Sequence, residues 1–556
     1  MRQERWNSGL NRKGVMLVHA PTGDSELLFR GAPMSLLYAV SILADRLVRG
    51  TYNGWTRDDL QLYDPALSCV REPARAVLEV QQLLEHHRPA VVAIGATSAA
   101  LFWALQIARV VKKWRKDCVV ILGGPHEDEA GALVPGGSIA DHSDIIDFSV
   151  QGDAEYLLAK LFDALYATDF VGGRAKAALL ADPEAFNKMQ GSGAINFALE
   201  GELKSITIGG RYRPGLRRGA LIPLDLNTLP RPPRWLLESE HEYLFDIFRA
   251  GGRLKRTAQM LTTRGCDFGC TFCTERGAVS HRSVTEIMDE IHDLADQGYE
   301  AVFFDDSTLH LYPALGDLLD ELCQASDKLG MEFGCLTRVD SLVKDLPRLP
   351  LGRFADAGFK YFYFGIEHDD DAVLEEMRKG YNSAKLHECL NLFRHSDQFR
   401  LGTSLLFGFR SETDDSIRRT LRLAATHPAI VIVNLSVVAL HPAAALMRSR
   451  RNSLRHDVVP PNVEPEWDLF EEGRWFHRED LTVEYARKIH RIVLEVDRET
   501  NGSLIRKLKR GGNVLGPRTL HYEPTLDSTA PGTATVQNIA SSKTNVNLSR
   551  IDSARD

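Results

Sequence analysis

Short apolar runs and amphipathic segments alternate along the first 165 residues. "VMLVHAP" (15–21), "DLQLYDP" (59–65), "AVVAIGATS" (90–98), "CVVILGGPH" (118–126) and "IIDFSVQGD" (145–153) read as strands. Several are apolar on both faces, as in a parallel sheet covered by helices on each side. Between them lie stretches such as "MSLLYAVSILADRLV" (34–48), with apolar residues at helical spacing. This alternation predicts a doubly wound, Rossmann-like α/β domain over residues 1–165, with ligands outside the carboxyl ends of its strands.

A second series of the same kind occupies residues 251–450. Its strands are "AQMLTTRG" (258–265), "AVFFDD" (301–306), "MEFGCLTR" (331–338), "KYFYFGIE" (360–367), "LGTSLLFGF" (401–409) and "AIVIVNLSVV" (429–438), separated by helical patterns such as "SVTEIMDEIHDLADQG" (283–298). Six consecutive βα units predict a partial (β/α)6 barrel with its chemistry on the carboxyl-end loops. Residues 166–250, rich in Gly, Arg and Pro and ending in "LDLNTLPRPPRWLL" (224–237), read as a linker between the two domains. Residues 451–519 form a helical region expected to shape a substrate pocket or to dock a carrier protein. The polar, weakly patterned segment 520–556 reads as a disordered tail.

Composition narrows the function classes. A formal charge of −8 and a pI near 6.2 lack the basic excess of a general nucleic-acid binder. No run approaches the ~20 apolar residues of a membrane span, and the charged start "MRQERWNSGLNRKG" does not resemble a signal peptide. Eight cysteines with no paired framework fit a reducing compartment, which predicts a cytoplasmic protein with neither nucleic-acid nor membrane partners.

Three of those eight cysteines, Cys266, Cys270 and Cys273, fall in "RGCDFGCTFCTER" (264–276), directly after the first strand of the second series. Three thiolates on one loop can bind a single centre. A structural zinc site needs a fourth ligand, and the nearest histidine is His281. A disulfide would leave a thiol over. A [4Fe–4S] cube held by three cysteines keeps one iron open for a non-protein ligand, whereas a cluster with a fully protein-ligated set takes four.

Cys-x3-Cys-x2-Cys, with Phe272 just before the last cysteine, closely resembles the radical S-adenosylmethionine (SAM) enzymes. In that family the open iron chelates the methionine part of SAM, and one electron then cleaves the sulfonium to a 5′-deoxyadenosyl radical. The resemblance implies SAM-binding roles for several residues. Phe272 lies in the loop, and Asp305 and Asp306 in "FFDDS" stand where relatives meet the SAM amino group. Arg338 in "CLTRVD" is a partner for a carboxylate, and Glu367 in "YFGIEHDDD" is suited to a ribose hydroxyl or the methionine amine. "LLFGFRSETDDS" (405–416) resembles the family's Gly-x-Pro-Gly-Glu-Thr turn, with Arg410-Ser411 in place of Pro-Gly; Thr413 there is equally suited to cap a helix.

A Rossmann-like domain ahead of such a barrel resembles the family's cobalamin-binding subclass. The match rests on "GAPMSLLYA" (31–39), "GATS" (95–98), "LGGPH" (122–126) and "QGDAE" (151–155). It implies cobalamin contacts from Pro33, Thr97, Ser98, Gly123, Gly124, Pro125, His126, Gly152, Asp153 and Glu155. Glycines there let backbone approach a large flat ligand, although Gly123-Gly124-Pro125 is also a plain strand-ending turn. No G-x-G-x-x-G follows the first strand, so a dinucleotide site is not indicated. The Asp-x-His-x-x-Gly motif of cobalamin mutases is absent, which predicts cobalamin without a histidine on cobalt.

The resemblance therefore implies a cobalamin-dependent radical SAM C-methyltransferase with a [4Fe–4S] cluster, SAM and cobalamin as cofactors. In such enzymes methyl passes from SAM, via methylcobalamin, to an unactivated carbon. The expected substrate is a small natural-product intermediate of antibiotic biosynthesis, free or carrier-bound, and the expected reductant is external, a flavodoxin or ferredoxin. A cyclase, rearrangement or oxidation enzyme of the same architecture is the alternative. A non-catalytic iron–sulfur or zinc protein is the reading from another class. A methylthiotransferase would carry additional cluster cysteines in its first domain, where this chain has only Cys69 and Cys118.

Overall fold

The computed structural model describes residues 14–21, 32–65, 73–97, 100–124, 139–208, 222–237, 247–250, 253–275, 277–438, 444–446 and 483–511. Ser98, Pro125, His126 and the segment 520–556 lie outside the described residues. The first sheet contains β1 (Val15–His19), β2 (Leu60–Tyr63), β3 (Val91–Gly95), β4 (Val119–Gly123) and β5 (Phe148–Gly152), all parallel, then β6 (Gly193–Leu199) and β7 (Glu202–Ile208), antiparallel. The strand order is β2-β1-β3-β4-β5-β6-β7.

Each face of this sheet is dry because the strand residues are apolar in both directions. Leu17, Val91, Val119 and Phe148 pack under α1 (Met34–Ala39), α2 (Ser41–Val48) and α5 (Ala154–Ala167). Met16, Val92, Val120 and Leu122 pack under α3 (Pro73–His87) and α4 (Leu101–Trp114).

The linker expected over 166–250 is corrected in its first half. Residues 172–208 form α6 (Gly172–Ala181), α7 (Pro183–Asn187) and the β6–β7 hairpin, which extends the first sheet. Glu200 and Gly201 turn that hairpin with φ of 52° and 81°, the two positive values a type I′ turn requires. Beyond it, residues 224–237 do run between the domains. Arg234 there is 9% exposed and donates to the Gln259 carbonyl at 2.6 Å and to Glu290 at 3.1 Å.

Two short hairpins frame the start of the second domain: β8 (Arg249–Ala250) with β9 (Arg253–Leu254), and, flanking the cysteine loop, β11 (Thr263–Arg264) with β12 (Ser280–His281). The barrel strands are β10 (Thr257–Met260), β13 (Ala301–Phe304), β14 (Glu332–Thr337), β15 (Phe359–Glu367), β16 (Arg400–Phe407) and β17 (Ile430–Val437). They lie side by side in chain order, all parallel. Ile247 and Phe248 pack with Ala301, Phe303, Tyr361 and Ile432 in a cluster of their own, apart from the main barrel core. The polar strand-end residues gather at the opposite, carboxyl end.

The helical region expected to shape a pocket has another task in its described part. Helices Val483–Glu499 and Ser503–Gly511 bury Ile489, Ile492, Val496, Leu504 and Leu508 in the barrel core. Arg418 and Arg422 of the helix Asp414–Thr426 pair with Glu495 and Glu499 at 2.6 and 2.7 Å. The apolar stripe of Val483–Glu499 thus supplies the helix that a sixth βα unit needs.

Candidate active site

Residues 265–279 leave the barrel at the carboxyl end of β10. Gly265 opens this loop at φ 103°, where a Cβ would collide with the Ala278 carbonyl oxygen, so only glycine fits. The Gly277 amide donates to the Cys266 carbonyl at 2.9 Å and the Cys273 amide to that of Cys270 at 3.4 Å, folding the loop on itself. Thr271 ties it to the barrel, donating from its amide to Met377 and from its hydroxyl to Glu376. Cys266 and Cys270 are 8% and 7% exposed, and Cys273 is half-buried. The Cys270 charge raises the Cys266 thiol, and the Cys270 and Cys266 charges raise that of Cys273, so the three lie close together. Burial pushes the Cys266 thiol up and that of Cys273 to about 11, so thiolates form here against a metal's charge. Three thiols without a fourth Cys or His partner among the described residues fit a site-open [4Fe–4S] cluster better than structural zinc.

The other expected SAM residues divide. Phe272 packs edge-on against Phe409, with ring centroids 6.2 Å apart, and lies 5.9 Å from the Lys379 ammonium. Lys379 pairs with Glu367 at 3.3 Å, and the Ser404 hydroxyl donates to the same carboxylate at 3.0 Å. Glu367 is 7% exposed at φ 65°, beside a register shift in the β15–β16 ladder. A non-glycine residue held there stores local strain, a feature that gathers at functional sites. Glu367 and Phe272 are thus joined through Lys379, which was not singled out from the sequence.

Asp305 and Asp306 separate sharply. Asp306 is wholly buried and accepts from the Thr262 amide and hydroxyl and from the Thr263 amide, at 2.7, 2.6 and 2.7 Å. Its oxygens are spent on the turn that launches the cysteine loop, so the expected SAM contact is corrected to a latch. Asp305 accepts one bond from Gln259 at 3.0 Å and faces a cavity. Burial and then the Asp306 charge push its carboxyl up to about 7. Arg338 is also placed otherwise than expected. Its guanidinium already holds a carboxylate within the chain, Asp340, through two bonds of 2.9 and 3.0 Å.

At the carboxyl edge of the first sheet, Gly95, Gly123 and Val150 stand in register across β3, β4 and β5. This brings together the expected cobalamin residues Gly123, Gly124 and Gly152, with exposed Thr97 following β3. Gly124 and Gly152 have φ of 130° and 81°. Pro33 caps α1 from a buried position, its carbonyl accepting from the Leu36 and Leu37 amides. Arg264, two residues before Cys266, pairs with Glu155 at 2.6 Å and Asp153 at 3.6 Å. These carboxylates tie the two domains together, while the second Glu155 oxygen, Oε2, is buried without a partner among the described residues. Gln151 at the same edge is 2% exposed, and neither of its side-chain amide atoms has a partner among the described residues. A buried unpaired amide at a strand end fits a ligand rich in amides, such as a corrinoid.

Between the domains lies a cavity of about 280 Å³. Met34, Ser35 and Glu155, on the helices of the first domain, and Gly152 at the end of β5 line one side, and Met260, Thr263, Asp305 and Ser307 the other. The cysteine loop contributes Gly265 and Glu275. The ends of the two sheets therefore share one chamber, and Arg264 forms part of its wall.

Comparison with known proteins agrees with this arrangement. Residues 260–424 match the Radical SAM superfamily. An uncharacterised methyltransferase of Pyrococcus horikoshii is 22% identical over 62% of this chain and 66% of its own length. The anaerobic magnesium-protoporphyrin IX monomethyl ester cyclase of Rubrivivax gelatinosus is 22% identical over 62% of this chain and 56% of its own. The chain thus spans less than two thirds of either relative. The methyltransferase TsrM of Kitasatospora setae, solved with tryptophan and a SAM analogue, superposes with a TM-score of 0.52 at 16% identity, covering 87% of this chain and 88% of that one. The same enzyme solved with cobalamin and a [4Fe–4S] cluster gives 0.50 at 16% identity, over 78% and 74%. Residues 260–424 thus resemble the Radical SAM superfamily, and over most of its length the chain shares the fold of TsrM.

Proposed function

We propose that this chain is a cobalamin-dependent radical SAM C-methyltransferase acting on a small molecule. The observation that carries the reading is the shared cavity, bounded on one side by the three-cysteine loop and on the other by the carboxyl edge of a Rossmann-like sheet. When bound, the cluster supplies the electron that cleaves SAM and the corrinoid supplies a methyl carrier. Cys266, Cys270 and Cys273 hold the cluster. Glu367, fixed by Lys379 and Ser404, orients SAM beside Phe272. The glycine ends of β4 and β5, together with Gln151, cradle the corrinoid. The Arg264 bridge keeps the two cofactor floors in register. The substrate is a natural-product intermediate of the kind found in antibiotic pathways, and an external flavodoxin or ferredoxin supplies electrons in the cytoplasm.

The Rubrivivax relative, as similar in sequence as the Pyrococcus one, favours a second reading, an oxidative cyclisation on the same architecture. Anaerobic reconstitution with iron, sulfide and hydroxocobalamin tests both. The expected result is a SAM-perturbed cluster EPR signal, a retained corrinoid, and label from methyl-labelled SAM in the product of a candidate substrate. A protein that binds SAM at its cluster but retains no corrinoid removes the methyl-transfer reading. Turnover without methyl incorporation moves the assignment to the cyclase reading.

A further inference from the structure

Arg338 has a more specific position than a cofactor-binding arginine requires. It lies at the carboxyl end of β14, is 7% exposed, and makes four directional contacts at once. Two fork its guanidinium onto Asp340 at 2.9 and 3.0 Å, and a third goes from Nη2 to the Lys379 carbonyl. The fourth goes from Nη1 to the Cys270 Sγ, at 3.1 Å. The guanidinium also stacks 3.8 Å above the Phe268 ring, which lies inside the cluster loop two residues before Cys270. Asp340, the Lys379 carbonyl and Phe268 fix the orientation of the planar fork, and Nη1 is thereby aimed at the Cys270 sulfur. Four of the five N–H groups of the guanidinium are engaged within the chain, and its carboxylate-binding fork is already filled by Asp340.

We infer that Arg338 is a positioning residue of the cluster, donating to the Cys270 thiolate and setting the cluster's reduction potential rather than binding SAM. A hydrogen bond to a ligand sulfur withdraws electron density from the iron, and a fixed positive charge nearby favours the more negative, reduced cluster. Both effects raise the potential and ease the one-electron reduction on which SAM cleavage depends. The inference rests on Cys266, Cys270 and Cys273 holding the cluster.

The test is an EPR-monitored redox titration of the reconstituted full chain without SAM, in wild type and Arg338→Gln, with SAM affinity measured separately by calorimetry. The expected result is a potential shifted to more negative values in Arg338→Gln, with SAM affinity unchanged. An unchanged potential overturns the inference, and a loss of SAM affinity at unchanged potential reassigns the residue to SAM. Should Arg338→Gln fail to hold iron, Arg338→Lys serves. An ammonium cannot span Cys270, Asp340 and the Lys379 carbonyl together, so its potential also falls, and a wild-type value there is equally fatal. A wild-type chain lacking any cluster signal would instead refute the underlying cluster reading.

Discussion

Replacing Arg264 by methionine keeps most of the volume and removes the charge between the two domains. Glu155 and Asp153, with side chains 2% and 4% exposed, would lose the partner they hold at 2.6 and 3.6 Å. Asp153 keeps the Ser192 amide at 2.9 Å, so Glu155 bears most of the loss. Left charged and buried, such a group costs ~3–5 kcal/mol. Arg264→Met therefore loses ~3–5 kcal/mol. Adding Glu155→Gln removes the stranded charge and recovers part of that loss. Urea unfolding of the reconstituted chain, followed by tryptophan fluorescence and circular dichroism, measures both. An unchanged stability in Arg264→Met, or a double variant no better than Arg264→Met, would refute the reasoning.

Three further outcomes follow from the same geometry. Gly265→Ala forces a Cβ against the Ala278 carbonyl at φ 103°, so iron bound per chain after reconstitution should fall steeply while the circular dichroism of both sheets persists. Asp306→Ala strands the Thr262 and Thr263 donors, at ~1–3 kcal/mol each, and should lower the melting temperature and iron retention; unchanged values would restore a SAM-contact role to this carboxylate. Asp305 titrates at about 7 in the folded chain, above its unfolded value, so the native state keeps a proton that the unfolded state has released. Stability therefore declines as pH rises from about 4 to 7. Asp305→Asn should flatten melting temperature against pH between about 6 and 8, while buried Asp306, its carboxyl pushed up to about 6, keeps a slope below that range; a wild-type slope above pH ~6 in the variant contradicts the assignment.

Legibility in the sequence followed the range of the interactions. Every strand of both parallel series appears where apolar runs placed it, because burial on both faces leaves a local, continuous signature. The β6–β7 hairpin did not, although "GAINFALEGELKSITI" carries a two-residue turn and alternation in its second arm. Reading 166–250 as one Gly- and Pro-rich stretch averaged that short signal away. Arg264 stood beside the cysteine motif, yet its meaning depended on Asp153 and Glu155 arriving from another domain. Asp305 and Asp306 were indistinguishable as neighbours in "FFDDS". The pleat sends one to the cavity and the other under the Thr262–Thr263 turn.

The sequence by itself determined what is local: the alternation that makes two βα domains, the three thiols within eight positions, and the glycine that lets their loop turn. Those features depend on covalent spacing and on burial periodicity, which neighbours along the chain define. The tertiary structure decided what each charged side chain is for. A buried charge takes whichever partner the packing delivers, and partners far along the chain have no fixed spacing to read. Hence Arg338 faces the Cys270 thiol, Asp306 holds a turn, and Asp153 with Glu155 hold Arg264.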